Sequence, residues 1–408
     1  MRLYLFDDAE ADGWTPFALS RPVSELRFGV PLLRDRLEAF VGRRADGLLT
    51  RPWLASFSEP GAPPAVEWVD LPEDEDRLLL SSRLVPAGGA RFRPPDGPAL
   101  LRADGDPAGC WLPAGVPLPG AGWTEVPGPL SGGGEVDLEG RLLGAVWELV
   151  RDGASRTAAD VKEMAPEGAR ARPDDLPDGV GAEGDEPLFL EEGVRLEPGV
   201  FLDLRDGPVW LGPEVEVGAG SRLAGPLYAG RGSRLLGGPV EALSAGPVSY
   251  LRGEVSGVTT LGWVNKAHDG HLGHAYLGRW VNLGAGTTNS DLKNNYGPVR
   301  LGGPEGDRET GLLKLGCLLG DHVKTAIGTL LTTGTAAGAG ASVFGDRRPP
   351  RWIPPFSWGG GPEAPPCRRE AFLETAATVM GRREVPFDAA TRSWLGAVWD
   401  EARRRRGS

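Results

Sequence analysis

Small or aliphatic residues recur at every sixth position through the second half of the chain. They stand at Leu211, Val217, Leu223, Ala229 and Leu235, at Leu277 and Leu283, and at Leu319, Thr325, Leu331, Ala337 and Val343. Glycine follows Leu211, Val217, Leu277 and Leu283. An α-helix repeats every 3.6 residues and cannot hold strict sixes. A hexad does suit a parallel β-helix, in which each repeat is a short strand and a turn. The aliphatic residue points inward, and the glycine is expected to supply turn conformations closed to other residues. Each buried aliphatic side chain contributes about 1.5–3 kcal/mol, so a stacked column of them is a core in itself. The period also explains how a chain with 62 Gly and 38 Pro folds at all, since that composition without a period reads as disorder. It breaks between about 288 and 313, where "NSDLKNNYG" predicts a loop leaving the scaffold. Such loops are a usual place for function.

The first part follows other rules. "MRLYLF" and "RLLLSS" read as strands, "GVPLLRDRLEAFVG" and "GAVWELVRDGASRTAADVKEM" as helices. Alternation of this kind predicts an α/β domain, here residues 1–164. The stretch "APEGARARPDDLPDGVGAEGDEP" is a linker by composition, 165–187. The β-helix is expected over 188–360. Beyond it, "CRREAFLETAATVMGRR" and "FDAATRSWLGAVWDEARRRR" carry helical apolar stripes, so 361–408 predicts a helical cap over the open end of the β-helix or an oligomer contact.

The formal net charge is -12, which gives no reason to approach nucleic acid or an anionic membrane. The run Arg403–Arg406 reads as a solvated helix end. Three dispersed cysteines argue against a disulfide framework. No apolar run is long enough to span a membrane, and the acidic start does not read as a signal peptide. The expected location is the cytoplasm.

Polar residues are distributed unevenly. Three of the four histidines, His268, His271 and His274, lie in one segment, and His322 lies shortly after it. All the asparagines are there too: Asn265, Asn282, Asn289, Asn294 and Asn295. The chain has no glutamine. Imidazole is a base suited to neutral pH, and convergent polar groups mark sites. The other reading of His268 is a satisfied turn residue. His271 and His274 could meet a neighbouring subunit's histidine on Zn, although the surrounding Asn and Lys are not what such a site needs. Arg21 and Arg27 are phosphate candidates or surface ion pairs to Glu25 or Asp35.

"RPVSELRFG", "NKAHDG", "NLGAGT", "LKNNYG", "GDHVKTAIGT" and "IPPFSWGG" resemble the GlmU-like family of sugar nucleotidyltransferases, over nearly the whole chain. That family is similar to the bifunctional enzymes of UDP-N-acetylglucosamine synthesis. The resemblance implies an α/β nucleotidyltransferase-like domain, a left-handed parallel β-helix with acetyltransferase activity, C-terminal helices and a homotrimer. It implies His268 as catalytic base. Asn282, Asn295 and Tyr296 would contact sugar or acyl donor, and Ala285, Gly286 and Lys324 would lie on the side of the co-substrate acetyl-CoA. Sugar phosphates or sugar nucleotides would be the partners. The lysine that holds the sugar phosphate in those enzymes is missing: their segment aligns with "GEVSG", which keeps Glu254. Lys266, Lys293 or Arg252 would replace it. The glycine-paired phosphate loop is also absent from the N-terminal domain, which leaves Arg21 and Arg27. The metal-binding aspartate is replaced by Arg83 in "LLLSSRLVP", which argues against a Mg2+ requirement. The readings beside acyl transfer are sugar-1-phosphate nucleotidyl transfer as the main activity, a γ-carbonic-anhydrase-like metal site, and a non-catalytic binding protein.

Overall fold

A computed structural model describes residues 1–118, 132–345, 348–361 and 363–407. The chain forms two compact units, one of Met1–Leu26, Pro31–Val146 and Phe387–Ser408, the other of Arg27–Val30 and Trp147–Pro386.

The first unit is α/β. Its strands are β1 (Arg2–Phe6), β2 (Gly47–Leu49), β3 (Arg77–Ser81), β4 (Leu84–Pro86), β5 (Ala99–Ala103), β6 (Asp106–Leu112), β7 (Gly134–Asp137) and β8 (Gly140–Leu142). Six form a mixed sheet in the order β2-β1-β3-β6-β5-β7, while β4 pairs with β8. β1 runs parallel to both neighbours, and β6 runs antiparallel to both of its own. β3 is buried along its whole length, as central strands covered on both faces are. Two helices follow β1. The short α1 (Ala9–Asp12) is capped by Asp8, whose carboxylate accepts from the Ala11 N–H at 3.0 Å. α2 (Leu33–Val41) ends at Gly42 in a left-handed turn, φ 78°.

The second unit is a β-solenoid of about 10 turns over 181–353. One of its ladders is an eight-stranded parallel sheet, which includes Tyr250–Leu251, Asn265–Lys266, Asn282–Leu283, Lys324–Thr325 and Ser342–Val343. Every aliphatic or small residue of the hexad pattern is buried. The glycines that follow them serve a different purpose from the expected one. Gly278 and Gly284 do not have positive φ. A Cβ on Gly278 would lie 2.7 Å from the Asp321 nitrogen, and one on Gly284 2.6 Å from the Ala326 carbonyl carbon. They are glycine because successive turns pack too closely there for any side chain.

The expected boundaries shift in three places. α3 (Glu148–Arg151) and α4 (Gly153–Met164) belong to the second unit. Val161 of α4 packs with Phe189 and Trp210, aromatic side chains on the solenoid, so the helix's apolar stripe finds its partner there. The expected linker is ordered: Arg170–Ala171 pairs with Leu188–Phe189, and Gly181–Glu183 is already a solenoid strand paired with Phe201–Asp203. The C-terminal helices do not act together. α5 (Arg369–Gly381) lies in the second unit, with Phe372 edge-on to Phe356 at 4.8 Å. α6 (Ala389–Gly407) lies in the first unit, where Trp394 packs edge-on to Phe57 at 4.9 Å and donates to the Ser20 carbonyl at 2.8 Å. The interruption of the hexads is a loop that contains a two-stranded hairpin, Arg300–Leu301 with Arg308–Glu309.

Candidate functional site

In the first unit, cationic side chains near the end of β1 are held by carboxylates. Buried Arg21 forks onto Glu59 at 2.9 and 3.1 Å. Arg51 pairs with Asp7 and, at 3.3 Å, with Asp12. Arg83 donates to both oxygens of Asp8 at 2.8–3.1 Å and to the Leu143 carbonyl. Arg27 belongs to the other unit. Its guanidinium bonds the Val30 carbonyl and lies 5.8 Å from the centre of the Tyr228 ring. Both phosphate candidates are therefore committed to protein groups. A Mg2+ ion does not fit at Asp8, because the guanidinium of Arg83 already takes both carboxylate oxygens.

In the solenoid, Lys266 is buried within the interior column. It pairs in register with Leu251, and its neighbour Asn265 pairs with Asn282, so Lys266 occupies the inward place that Leu251 and Leu283 occupy in adjacent turns. Its ammonium donates to the carbonyls of Arg252 and His268 at 2.9 and 2.5 Å. Burial pushes it down to about 8, against the pull of Asp269. It does not reach solvent to hold a phosphate. His268 follows at the corner, exposed. The next residue, Asp269, accepts from the Gly286 N–H at 3.1 Å, and Ala285 accepts from Gly328 at 2.8 Å. These bonds stack the His268 corner on Ala285 and Gly286.

Asn282 and Lys324 are register partners, and both line a cavity of about 520 Å3. The Asn265 amide donates to Asn282 Oδ1 at 2.8 Å, which leaves the Asn282 NH2 for a ligand. Burial pushes Lys324 down to about 8, opposed by Cys367; its ammonium bonds the His322 carbonyl at 3.2 Å. Lys293, Asn295 and Tyr296 form a third group that bonds within its own loop: Lys293 to the Pro298 carbonyl, Asn295 to the Gly297 N–H and Tyr296 N–H to the Lys293 carbonyl. Tyr296 is exposed. Arg252 pairs with Asp269 at 3.0 Å.

The sequence against this geometry points one way for the first unit. Residues 3–91 match the family model described as sugar nucleotidyl transferase. Among curated proteins none matches the chain significantly. The matched segment carries Asp7, Asp8, Arg21, Arg51 and Arg83, so the internal ion pairs fall within the nucleotidyl transferase-like region itself. The match together with the solenoid fits a GlmU-like architecture.

His271 and His274 spend Nδ1 on carboxylates, Glu254 at 3.2 Å and Asp291 at 2.7 Å. The hydrogen bond from His274 holds the Asp291 carboxyl below its usual range. Among the described residues no three of His, Cys, Asp and Glu are grouped so as to hold a metal ion.

Sequence reasoning missed the walls of the Asn282 cavity. Two residues before each ladder strand the chain turns a left-handed corner, at Gly193, Glu214, Gly232, Val248, Trp263, Trp280, His322 and Gly340, with φ between 52° and 77°. Glycine takes this conformation freely, whereas other residues do so at a cost of about 1–3 kcal/mol. Trp263 and Trp280 stack at 5.3 Å, and Trp280 stacks on His322 at 6.1 Å. A signal was present: Trp-Val-Asn occurs at 263–265 and again at 280–282.

Proposed function

We propose that this protein is a transferase of sugar-nucleotide metabolism whose solenoid moves an acyl group from acetyl-CoA to a sugar or sugar nucleotide. The observation that carries the reading is the exposed His268 imidazole, on a corner stacked over Ala285 and Gly286 and anchored from below by Lys266. In this reading imidazole takes the proton from the acceptor amine or hydroxyl as its lone pair attacks the thioester carbonyl. The C–S bond then breaks, and the coenzyme thiolate leaves and takes up the proton. The NH2 of Asn282 supplies a donor for the developing oxyanion or for the acceptor. Lys293, Asn295 and Tyr296 sit on the projecting loop, and closure of that loop over the bound acceptor would bring them to it. The test is turnover with acetyl-CoA and amino sugars, their phosphates or their nucleotides. Loss of a general base costs about 10²–10⁴-fold, so His268→Ala should lose that much while keeping its fold. Turnover at the wild-type rate sinks the assignment.

The family match supports a second reading, nucleotidyl transfer on a sugar phosphate by the first unit. The pairing of Arg83 with Asp8 argues that any such activity proceeds without the usual metal. Tight, strictly Mg2+-dependent nucleotide binding in calorimetry would contradict this.

A further inference from the structure

Two cavities lie between α5 and the solenoid and share Lys324. The first, about 520 Å3, is lined by Tyr250, Asn282, Lys324, Arg382 and Arg383 among others. The second, about 550 Å3, is lined by Lys324, Trp358, Cys367, Arg368 and Phe372 among others. Each has the size of an ordinary small-molecule site. The charged residues that line them, among those described, are all cationic, in a chain of net charge -12.

The cations are also prepared for a ligand. Arg383 lies 3.9 Å from the centre of the Tyr250 ring, and Arg234 is 5.1 Å from the same ring. Stacking holds the guanidinium by its face and leaves its N–H edge to fork onto an anion. Arg382 is exposed and makes no ion pair with any described residue. The ammonium of Lys324 is held by a single carbonyl hydrogen bond, to His322. The Asn282 NH2 faces the same space. Neutral donors and cations converge here, and no carboxylate lines either cavity.

We propose that Lys324, Arg382 and Arg383 form a binding site for an organic diphosphate in the groove beneath α5, with the more apolar cavity beside Trp358 and Phe372 taking the rest of the ligand. Two kinds of molecule carry that group, a nucleotide sugar and coenzyme A, and the test separates them. The site does not depend on acyl transfer, since binding is measured without turnover.

The experiment is calorimetric titration of the full chain with inorganic pyrophosphate, UDP-glucose and coenzyme A. Pyrophosphate should bind, and Arg382→Ala and Arg383→Ala should each weaken it by about tenfold, the scale of one charge-assisted hydrogen bond. Arg195→Ala, at an exposed solenoid arginine that lines neither cavity, should leave binding unchanged, which separates the site from a general loss of positive charge. The titratable and charged groups that line the two cavities with Lys324 are Tyr250, Cys367, Arg368, Arg382 and Arg383, with His322 next to it on its own turn. Because burial already pushes Lys324 down to about 8, an arriving anion should draw a proton onto it at pH 8. Titrations in buffers of different ionisation enthalpy should show that uptake in the wild type and lose it in Lys324→Met. Whichever of UDP-glucose and coenzyme A displaces pyrophosphate is the source of the diphosphate. Arg382 is exposed, so Arg382→Ala should fold. If the Arg382→Ala, Arg383→Ala double variant binds pyrophosphate as well as the wild type, or neither organic ligand competes, the proposal is overturned.

Discussion

Lys266 reaches out of the aliphatic column of the solenoid to hold the backbone carbonyl of His268. A buried ammonium thus fixes the turn on which an exposed imidazole stands. Its proton equilibrium is coupled to stability. Burial lowers the folded pKa from 10.5 to about 8, so between those values the unfolded chain holds a proton that the native chain has released. Stability then rises with pH across this window. The full rise is about 3 kcal/mol for one such group. Below pH 8 both states are protonated and the whole cost of burying the charge is present. Lys266→Met removes this contribution. Its stability relative to wild type, from chemical denaturation at pH 7.5 and 10, should fall as pH rises. A constant difference would contradict the burial of the charge.

Arg83 and Asp8 are both buried. Breaking a buried pair leaves one uncompensated charge and costs about 3–5 kcal/mol. Arg83→Met should therefore lower the melting temperature sharply. The double variant with Asp8→Asn should recover much of the loss, because no bare charge remains. Equal losses in the single and double variants would show that the packing of Arg83, and not its charge, matters.

The left-handed corners test the backbone directly. Gly340 has φ 70°, and a Cβ there would lie 2.4 Å from the Phe356 ring. Gly340→Ala should cost about 1–3 kcal/mol. Val248 holds a similar φ of 56°, and a branched side chain is poorly suited to it. Val248→Asn should be neutral or stabilising. The two denaturation curves should move in opposite directions or, at least, by clearly different amounts.

Ile327 is 79% exposed on one of the late turns of the solenoid. We expect these turns to pack against copies of themselves in a homotrimer. Ile327→Glu should shift sedimentation at micromolar concentration from trimer to monomer. A wild-type monomer at that concentration would end this expectation.

The solenoid was legible because its core repeats along the sequence: Leu211, Val217 and Leu223 announce their neighbours. The ion pairs were not, because Arg21 finds Glu59 and Arg83 finds Asp8 only after distant strands come together. Lys266 misled for a different reason. A lysine among histidines and asparagines reads as a surface cation, and only the pairing of its turn with Leu251 reveals that it points inward. Asn282 and Lys324 were found through their motifs, yet Arg382 and Arg383 sit at a helix end whose sequence gives no hint of the cavity above them. Counting hexads hid the paired tryptophans, since they occupy corners and not the inward positions that set the period.

Trp263 and Trp280 stand on consecutive turns, each two residues ahead of an asparagine on the ladder. Adjacent parallel strands are about 4.8 Å apart, a distance fixed by the backbone. The two amides therefore act as graduations on a ruler. Because the two amides also bond each other at 2.8 Å, a molecule gripped by both must meet the remaining Asn265 Oδ1 with a donor and the Asn282 NH2 with an acceptor. Selectivity would then belong to the spacing of the coils, so an inserted or deleted turn would regrade the ruler without altering a single residue that touches the ligand.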